Sequence, residues 1–283
     1  MLLSSIKNTF KNTVRSVSFW LIVLIFALIA FYNVGSLSYS QYDLELKEYI
    51  YDTDPRFSLD YQGYIKQFCT VFDMLMPYAV PLLAIVSTAL IVFRDYSDNF
   101  FEIEKASGIK PIRYLAGRLG TLIVINVLIT TVVAMIMLHA IVLPRNGYTG
   151  SNYWIESSLR ILQNVFARAF PCICFYVTFV YALSTIVRNG FLSSALCLGC
   201  MIACYAADLL SVSNTGIFLE YLTPTGSNKV IYYLYYYDTE WFDWMLETFN
   251  SSWTEAFVCW SILMGTAGFF FILAYFRICK RTV

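Results

Sequence analysis

The chain has 283 residues, of which 59% are apolar and only 13% charged, with 23 Phe, 22 Tyr and a mean hydropathy of +0.62. A soluble domain is nearer half apolar and about a quarter charged, so this composition disfavours a soluble globular protein, a disordered chain, a secreted disulfide scaffold and a nucleic-acid binder. Nineteen Lys and Arg balance nineteen Asp and Glu, and net charge therefore points to no partner.

A bilayer core about 30 Å thick is crossed by about 20 apolar residues in helix, and that length organises the chain. Residues 1–18 set Leu2, Leu3, Ile6, Phe10, Val14 and Val17 against Lys7, Lys11 and Arg15, the pattern of an amphipathic helix at a membrane surface. Six apolar runs follow at 19–38, 71–93, 119–143, 171–187, 191–210 and 256–276. The first is too long for the core of a signal peptide and lacks a small-residue cleavage site, so it reads as a retained span. Between the first two, 39–70 is rich in charge and Tyr, either a small ordered cap or a mobile loop. The fourth and fifth runs flank Arg188-Asn189-Gly190, a turn suited to a membrane surface. Residues 211–255 carry Ile231 to Tyr237, Trp241, Phe242 and Trp244, a belt for the headgroup zone. That belt reads either as interfacial helices near a substrate or as a plain lipid anchor.

Six spans put both termini on one side, and basic residues choose which. The terminal side holds Lys7, Lys11, Arg15, Arg94, Lys105, Lys110, Arg113, Arg118, Arg188, Arg277, Lys280 and Arg281, opposed by Asp95, Asp98, Glu102 and Glu104 alone. That side is the cytoplasmic one. The segments 39–70, 144–160 and 211–255 then face outward. The expected fold class is all-α: one polytopic transmembrane domain over 1–283, with six spans, an amphipathic N-terminal helix and a cytoplasmic coupling helix.

The informative connection is 94–118. Asp95, Ser97 or Asp98 can cap a helix there; Glu102 and Glu104 sit early, Lys105 and Lys110 late, and Gly108 followed by Pro111 ends it. Phe100, Ile103 and Ser107 share one face, with Phe101 beside them. From these residues alone the segment is a coupling element or simply an amphipathic loop. The run from Arg94-Asp95-Tyr96 through Glu102-Ile103-Glu104-Lys105-Ala106-Ser107-Gly108 to Pro111 and Arg118 resembles the connection between the second and third spans of type-2 ATP-binding cassette permeases. The resemblance implies that Asp98, Glu102, Ile103, Glu104, Lys105 and Gly108 belong to a coupling helix seated in a cleft of a separate ATPase subunit. In that picture Glu102, Glu104 and Lys105 orient the contact, while Phe100, Phe101 and Ile103 anchor the helix. The chain carries no G-x-x-x-x-G-K-[ST] phosphate loop, so ATP and Mg would be bound by the partner and no cofactor by this chain. Two permease chains, identical or sister, with two ATPase chains would form the unit, surrounded by membrane lipid and without nucleic acid.

Within the spans each polar group has a plain structural alternative. Asn126, Thr130 and Thr131 line a route for an amphipathic substrate or act as helix-packing glue. Ala195, Gly199, Ala203 and Ala207 recur every fourth residue, a spacing for close helix approach inside the chain or at a second copy. Cys197, Cys200 and Cys204 lack a His or acid at their depth and read as small apolar residues rather than metal ligands. The leading expectation is an exporter of an amphipathic molecule such as a peptide, lipid-linked compound or drug. The alternatives are a non-transporting sensor or scaffold and, less favoured, an intramembrane enzyme or an ion-coupled carrier. The enzyme reading meets the difficulty that His139 is the one His.

Counting outward from the 188–190 turn places Arg168 and Asp208 at similar depth, where pairing would relieve the cost of a charge near hydrocarbon, about 2.5–3.5 kcal/mol at the bilayer centre. Arg168 snorkelling alone to headgroups is the alternative. If they pair, Arg168→Asp and Asp208→Arg each lower the amount of folded protein in membranes, and the double reversal restores it. No rescue counts against the pair.

Overall fold

Residues 2–35, 40–43, 48–51, 75–76, 78–97, 106, 108–142, 151–187, 189–211, 224, 226–227 and 253–280 are described by a computed structural model. Among them the chain is helical apart from a two-stranded antiparallel ribbon, β1 (Ser40–Asp43) and β2 (Glu48–Tyr51), paired from Ser40 with Tyr51 to Asp43 with Glu48. The ribbon gives part of the 39–70 segment an ordered form. The helices are α1 (Leu2–Val14), α2 (Val17–Gly35), α3 (Ala79–Ser97), α4 (Pro111–Met137), α5 (Ser151–Asn164), α6 (Phe170–Val187), α7 (Gly190–Ser211) and α8 (Trp253–Lys280). Three helical stretches, Pro111–Ala140, Ser157–Val187 and Ala256–Cys279, are long and apolar enough to cross a membrane.

Two helix starts lie upstream of where the apolar runs place them. Pro111 occupies the first turn of α4 behind an extended Lys110, a position where its missing N–H costs nothing and its fixed φ favours helix. The third run therefore begins its helix at Pro111 rather than 119, and Arg113, Tyr114 and Arg118 are helical. The fourth begins at Ser151 rather than Pro171. Glu156 and Arg160 lower the hydropathy of α5 without breaking its helical period, and α5 passes through a π-helical turn, Val165–Ala169, into α6. There the Phe170 N–H reaches the Val165 carbonyl. A wide turn next to Pro171 accommodates the N–H that proline lacks. A second π turn, Leu138–Val142, extends α4.

The central helix is α6, which packs against α3, α4, α7 and α8. Its buried positions run around the cylinder, from Cys172, Ile173 and Tyr176 to Val180, Tyr181 and Thr185, as expected of a helix enclosed by others. Phe175 and Phe179 close on Phe270 of α8 with ring centroids 5.8 and 4.7 Å away. Hydroxyls inside these helices mostly return to their own backbone. Thr178 donates to Cys174 O at 2.7 Å, Thr185 to Ala182 O at 2.7 Å and Thr121 to Gly117 O at 2.6 Å, so polar groups in an apolar setting remain satisfied without tying helices together.

The α6–α7 turn closes against α3. Gly190 lies so near that a Cβ there would stand 3.2 Å from the Phe93 backbone nitrogen. Asn189 caps α7, its Oδ1 accepting from the N–H groups of Phe191 at 3.0 Å and Leu192 at 3.2 Å. Asn189→Ala removes that acceptor and should destabilise the chain by about 1 kcal/mol, while Asn189→Asp keeps it. Thermal unfolding in detergent, with Asn189→Ala melting below both Asn189→Asp and wild type, checks this.

Candidate functional site

The end of α3 and the start of α4 bracket the 98–110 connection, and a buried charge network holds them together. Arg118, about two turns into α4, is 1% exposed. Its Nη2 lies 3.1 Å from Asp95 Oδ1 near the end of α3. The second carboxylate oxygen of Asp95 accepts from the Tyr114 hydroxyl at 3.1 Å. A further hydrogen bond joins the Tyr114 and Tyr181 hydroxyls. Because the Tyr114 proton is directed at Asp95, Tyr181 is the donor. A phenol is neutral across physiological pH, so Tyr114 serves Asp95 as a donor.

On its other side Arg118 Nη1 donates to Thr9 Oγ1 of α1 at 2.8 Å. Thr9 and Thr13, four residues apart, are both buried, and Thr13 donates to Thr9 O at 2.8 Å. The face of α1 that meets the bundle is thus its threonine face, not the Ile6–Phe10 face, which stays exposed. Arg94 donates to Asn12 O at 3.3 Å. The charge network therefore joins four helices, with Asp95 on α3, Tyr114 and Arg118 on α4, Thr9 on α1 and Tyr181 on α6. A cavity of about 30 Å³ beside it is lined by Thr9, Thr13, Ser87, Arg94, Asp95 and Arg118, room for about two waters.

Deeper in the bundle, Ser87 donates to Asn126 Oδ1 at 3.0 Å, and Asn126 Nδ2 donates to Leu122 O at 2.8 Å. Asn126 thereby fastens α4 to α3. Thr130, one turn on, is 1% exposed and its hydroxyl has no hydrogen-bond partner among the described residues. Thr131 is half-buried and donates to Val127 O at 2.8 Å. Of the three residues expected to line a route, Asn126 and Thr130 share a buried face while Thr131 serves its own backbone.

The other expected residues are placed as follows. Asp98, Glu102, Ile103, Glu104 and Lys105 lie outside the described residues. Gly108 is exposed at φ +79, the left-handed conformation of a residue just past a helix end. Arg168 is buried in the π turn before α6, and the Asp208 side chain lies outside the described residues. Ala195, Gly199 and Ala203 are exposed, and a Cβ on Gly199 would meet nothing within 4 Å; the Ala207 side chain is not described. Among the described residues nothing packs closely on this stripe, and α7 buries Ser193 and Cys197 instead. Cys197 is buried, Cys200 exposed and Cys204 half-buried, and no group of three metal-ligating side chains occurs among the described residues.

The network itself escaped the sequence reading, which gave Asp95 a capping role and Arg118 only a surface charge. The signal was present: Asp95 and Arg118 are opposite charges at the mouths of two consecutive apolar runs. No protein-family model and no curated protein matches this chain.

Removing one member of a buried ion pair strands the other, at a cost of about 3–5 kcal/mol, whereas replacing both with apolar residues is often neutral. Arg118→Met and Asp95→Leu should each lower the thermal midpoint strongly, and the double variant should recover much of the loss. Additive losses in that double-mutant cycle would show that the pair is not coupled.

Proposed function

We propose that this chain is the membrane-spanning permease subunit of an ATP-driven transporter of the type-2 ATP-binding cassette kind, exporting an amphipathic substrate such as a peptide, lipid-linked compound or drug. Six spans correspond to α2, α3, α4, the α5–α6 rod, α7 and α8, with both termini cytoplasmic in the cell membrane and α1 lying on the inner surface. Three of these helices are long and apolar enough to cross by themselves, and the distribution of basic residues sets the orientation.

The observation that carries the reading is the buried Arg118–Asp95 pair closing the base of the 98–110 connection, with α1 bonded to it through Thr9. A coupling element needs such a base. A push on a loop whose ends are loose is absorbed locally, whereas a push on a loop whose ends are bonded to each other and to two further helices moves those helices together. In the proposed cycle a separate ATPase subunit binds ATP and Mg and seats residues 98–108 in its cleft. Closure of the paired ATPases displaces this base and switches the spans between inward and outward access. A second permease, identical or sister, completes the unit. Glu102, Glu104 and Lys105 orient the contact, and this chain supplies no catalytic group. The sensor or scaffold alternative shares the ATPase contact and differs in carrying no flux.

The test is a mild-detergent pull-down of the tagged chain with an ATPase assay on what remains bound. The expected partner carries a phosphate loop and hydrolyses ATP, and Glu102→Lys with Glu104→Lys reduces its retention at least about tenfold, as like charges replace favourable ones across a contact. A wild-type chain that purifies alone overturns the proposal.

A further inference from the structure

We infer that α1 and the turn that ends it carry a docking stripe for anionic phospholipid headgroups, formed by Lys7 and Lys11 of the helix and by Arg15, whose N–H donates back to Lys11 O at 3.1 Å. The inference rests on the cytoplasmic placement of α1 proposed above, since the cytoplasmic leaflet is the one that carries a negative surface potential. Lys7, Lys11 and Arg15 follow one another at four-residue spacing, so they form one line along the helix and the turn that ends it, and all three are exposed. Next to that line Ile6 and Phe10 are 36% and 49% exposed. On the remaining side Thr9 and Thr13 are buried against Arg118. Three adjoining faces thus present cations, apolar side chains and a protein contact. A helix with its apolar strip in the acyl boundary and its cations beside that strip holds the cations at headgroup level.

Charge complementarity selects the occupant. The first 42 residues contain those three cations and no carboxylate, so nothing in the segment offers them an internal partner. Arg94, hydrogen-bonded to Asn12 O, adds a fourth positive group alongside. The helix is also fixed in place for this role. Trp20 Nε1 donates to Val14 O at 2.7 Å, and Ser16 N–H donates to Thr13 O at 3.1 Å, locking the angle between α1 and α2 with an indole of the kind that anchors at membrane interfaces.

The experiment measures association of spin-labelled phosphatidylglycerol against spin-labelled phosphatidylcholine with the full chain in phosphatidylcholine vesicles. Wild type should prefer the anionic lipid by about threefold at low salt, and the preference should weaken at high salt, as for headgroups held by several surface cations. Lys7→Gln with Lys11→Gln and Arg15→Gln should remove it, Lys11→Gln alone should halve it, and Lys7→Arg with Lys11→Arg should keep it. Arg277→Gln, which removes an exposed cation of α8, a helix that does not pack on α1, should leave it unchanged. Equal preference in wild type and the triple variant, or an equal loss in Arg277→Gln, overturns the inference. Because the chain is measured without an ATPase, this outcome is separable from the fate of the permease reading.

Discussion

A buried guanidinium needs partners in the protein around it, and Arg118 answers that need by drawing three elements to one point. Its fixed fork places Nη1 on Thr9 of α1 and Nη2 beside Asp95 of α3 while its backbone belongs to α4. Asp95 in turn engages Tyr114, and Tyr114 engages Tyr181 of α6. Withdrawing any one of these helices would leave a buried charged or polar group without its protein partner, which costs more than the net gain of any single bond. The apolar contacts of the bundle hold its helices together without directional preference. This network determines how their ends meet.

The division of labour follows from the surroundings. Lipid tails are as apolar as the side chains of α6 and α8, so hydrophobic burial gives little reason for one helix arrangement over another. Shape supplies part of the answer, in the Phe175, Phe179 and Phe270 cluster and in the close approach of Gly190 to α3. Directional polar contacts supply the rest. Most hydroxyls along the helices are turned back on their own backbones, which makes the exceptions informative. Ser87 with Asn126, and Thr9 with Arg118, reach from one helix to another, and Ser87 and Thr9 line the same cavity. The α1–α3–α4 corner is therefore where polar contacts between helices are concentrated.

The apolar runs were legible because helix length against bilayer thickness is a one-dimensional property of sequence, and helices occupy most of the described residues in each. The starts were less legible. Pro111 reads equally as the stop of one helix or the first turn of the next, and its neighbour Lys110 in extended conformation decides for the latter. The helix from Ser151 was obscured because Glu156 and Arg160 depress a hydropathy average while leaving helical periodicity intact. The threonine face of α1 was hidden for a different reason. Leu, Ile and Phe at helical spacing point to the apolar strip as the contact face, but in a membrane protein that strip has lipid as an alternative partner, and Thr9 and Thr13 face the protein because a buried guanidinium needs an acceptor. The small-residue stripe of α7 shows the same limit, since spacing reports a smooth surface and not what lies against it.

The two ends of α4 differ in a way that bears on motion. From Arg118 to His139 the helix rises about 30 Å, comparable to the hydrocarbon core. At the far end His139 stacks on Trp154 at 4.4 Å and lies 2.9 Å from Ser158 Oγ, beside a π turn in α4, with a second π turn following α5. At the near end the contacts are an ion pair and hydrogen bonds to buried partners. Stacked rings tolerate sliding, and π turns are places where a helical ladder has already been relaxed; a buried ion pair tolerates neither stretch nor rotation without stranding a charge. A displacement applied to the loop between Asp95 and Arg118 would thus be carried by the near end as a unit and taken up as a change of angle toward the far end. The alternating access proposed above would ask for that distribution of stiffness, a firm end where force enters and a yielding end where the opening must change.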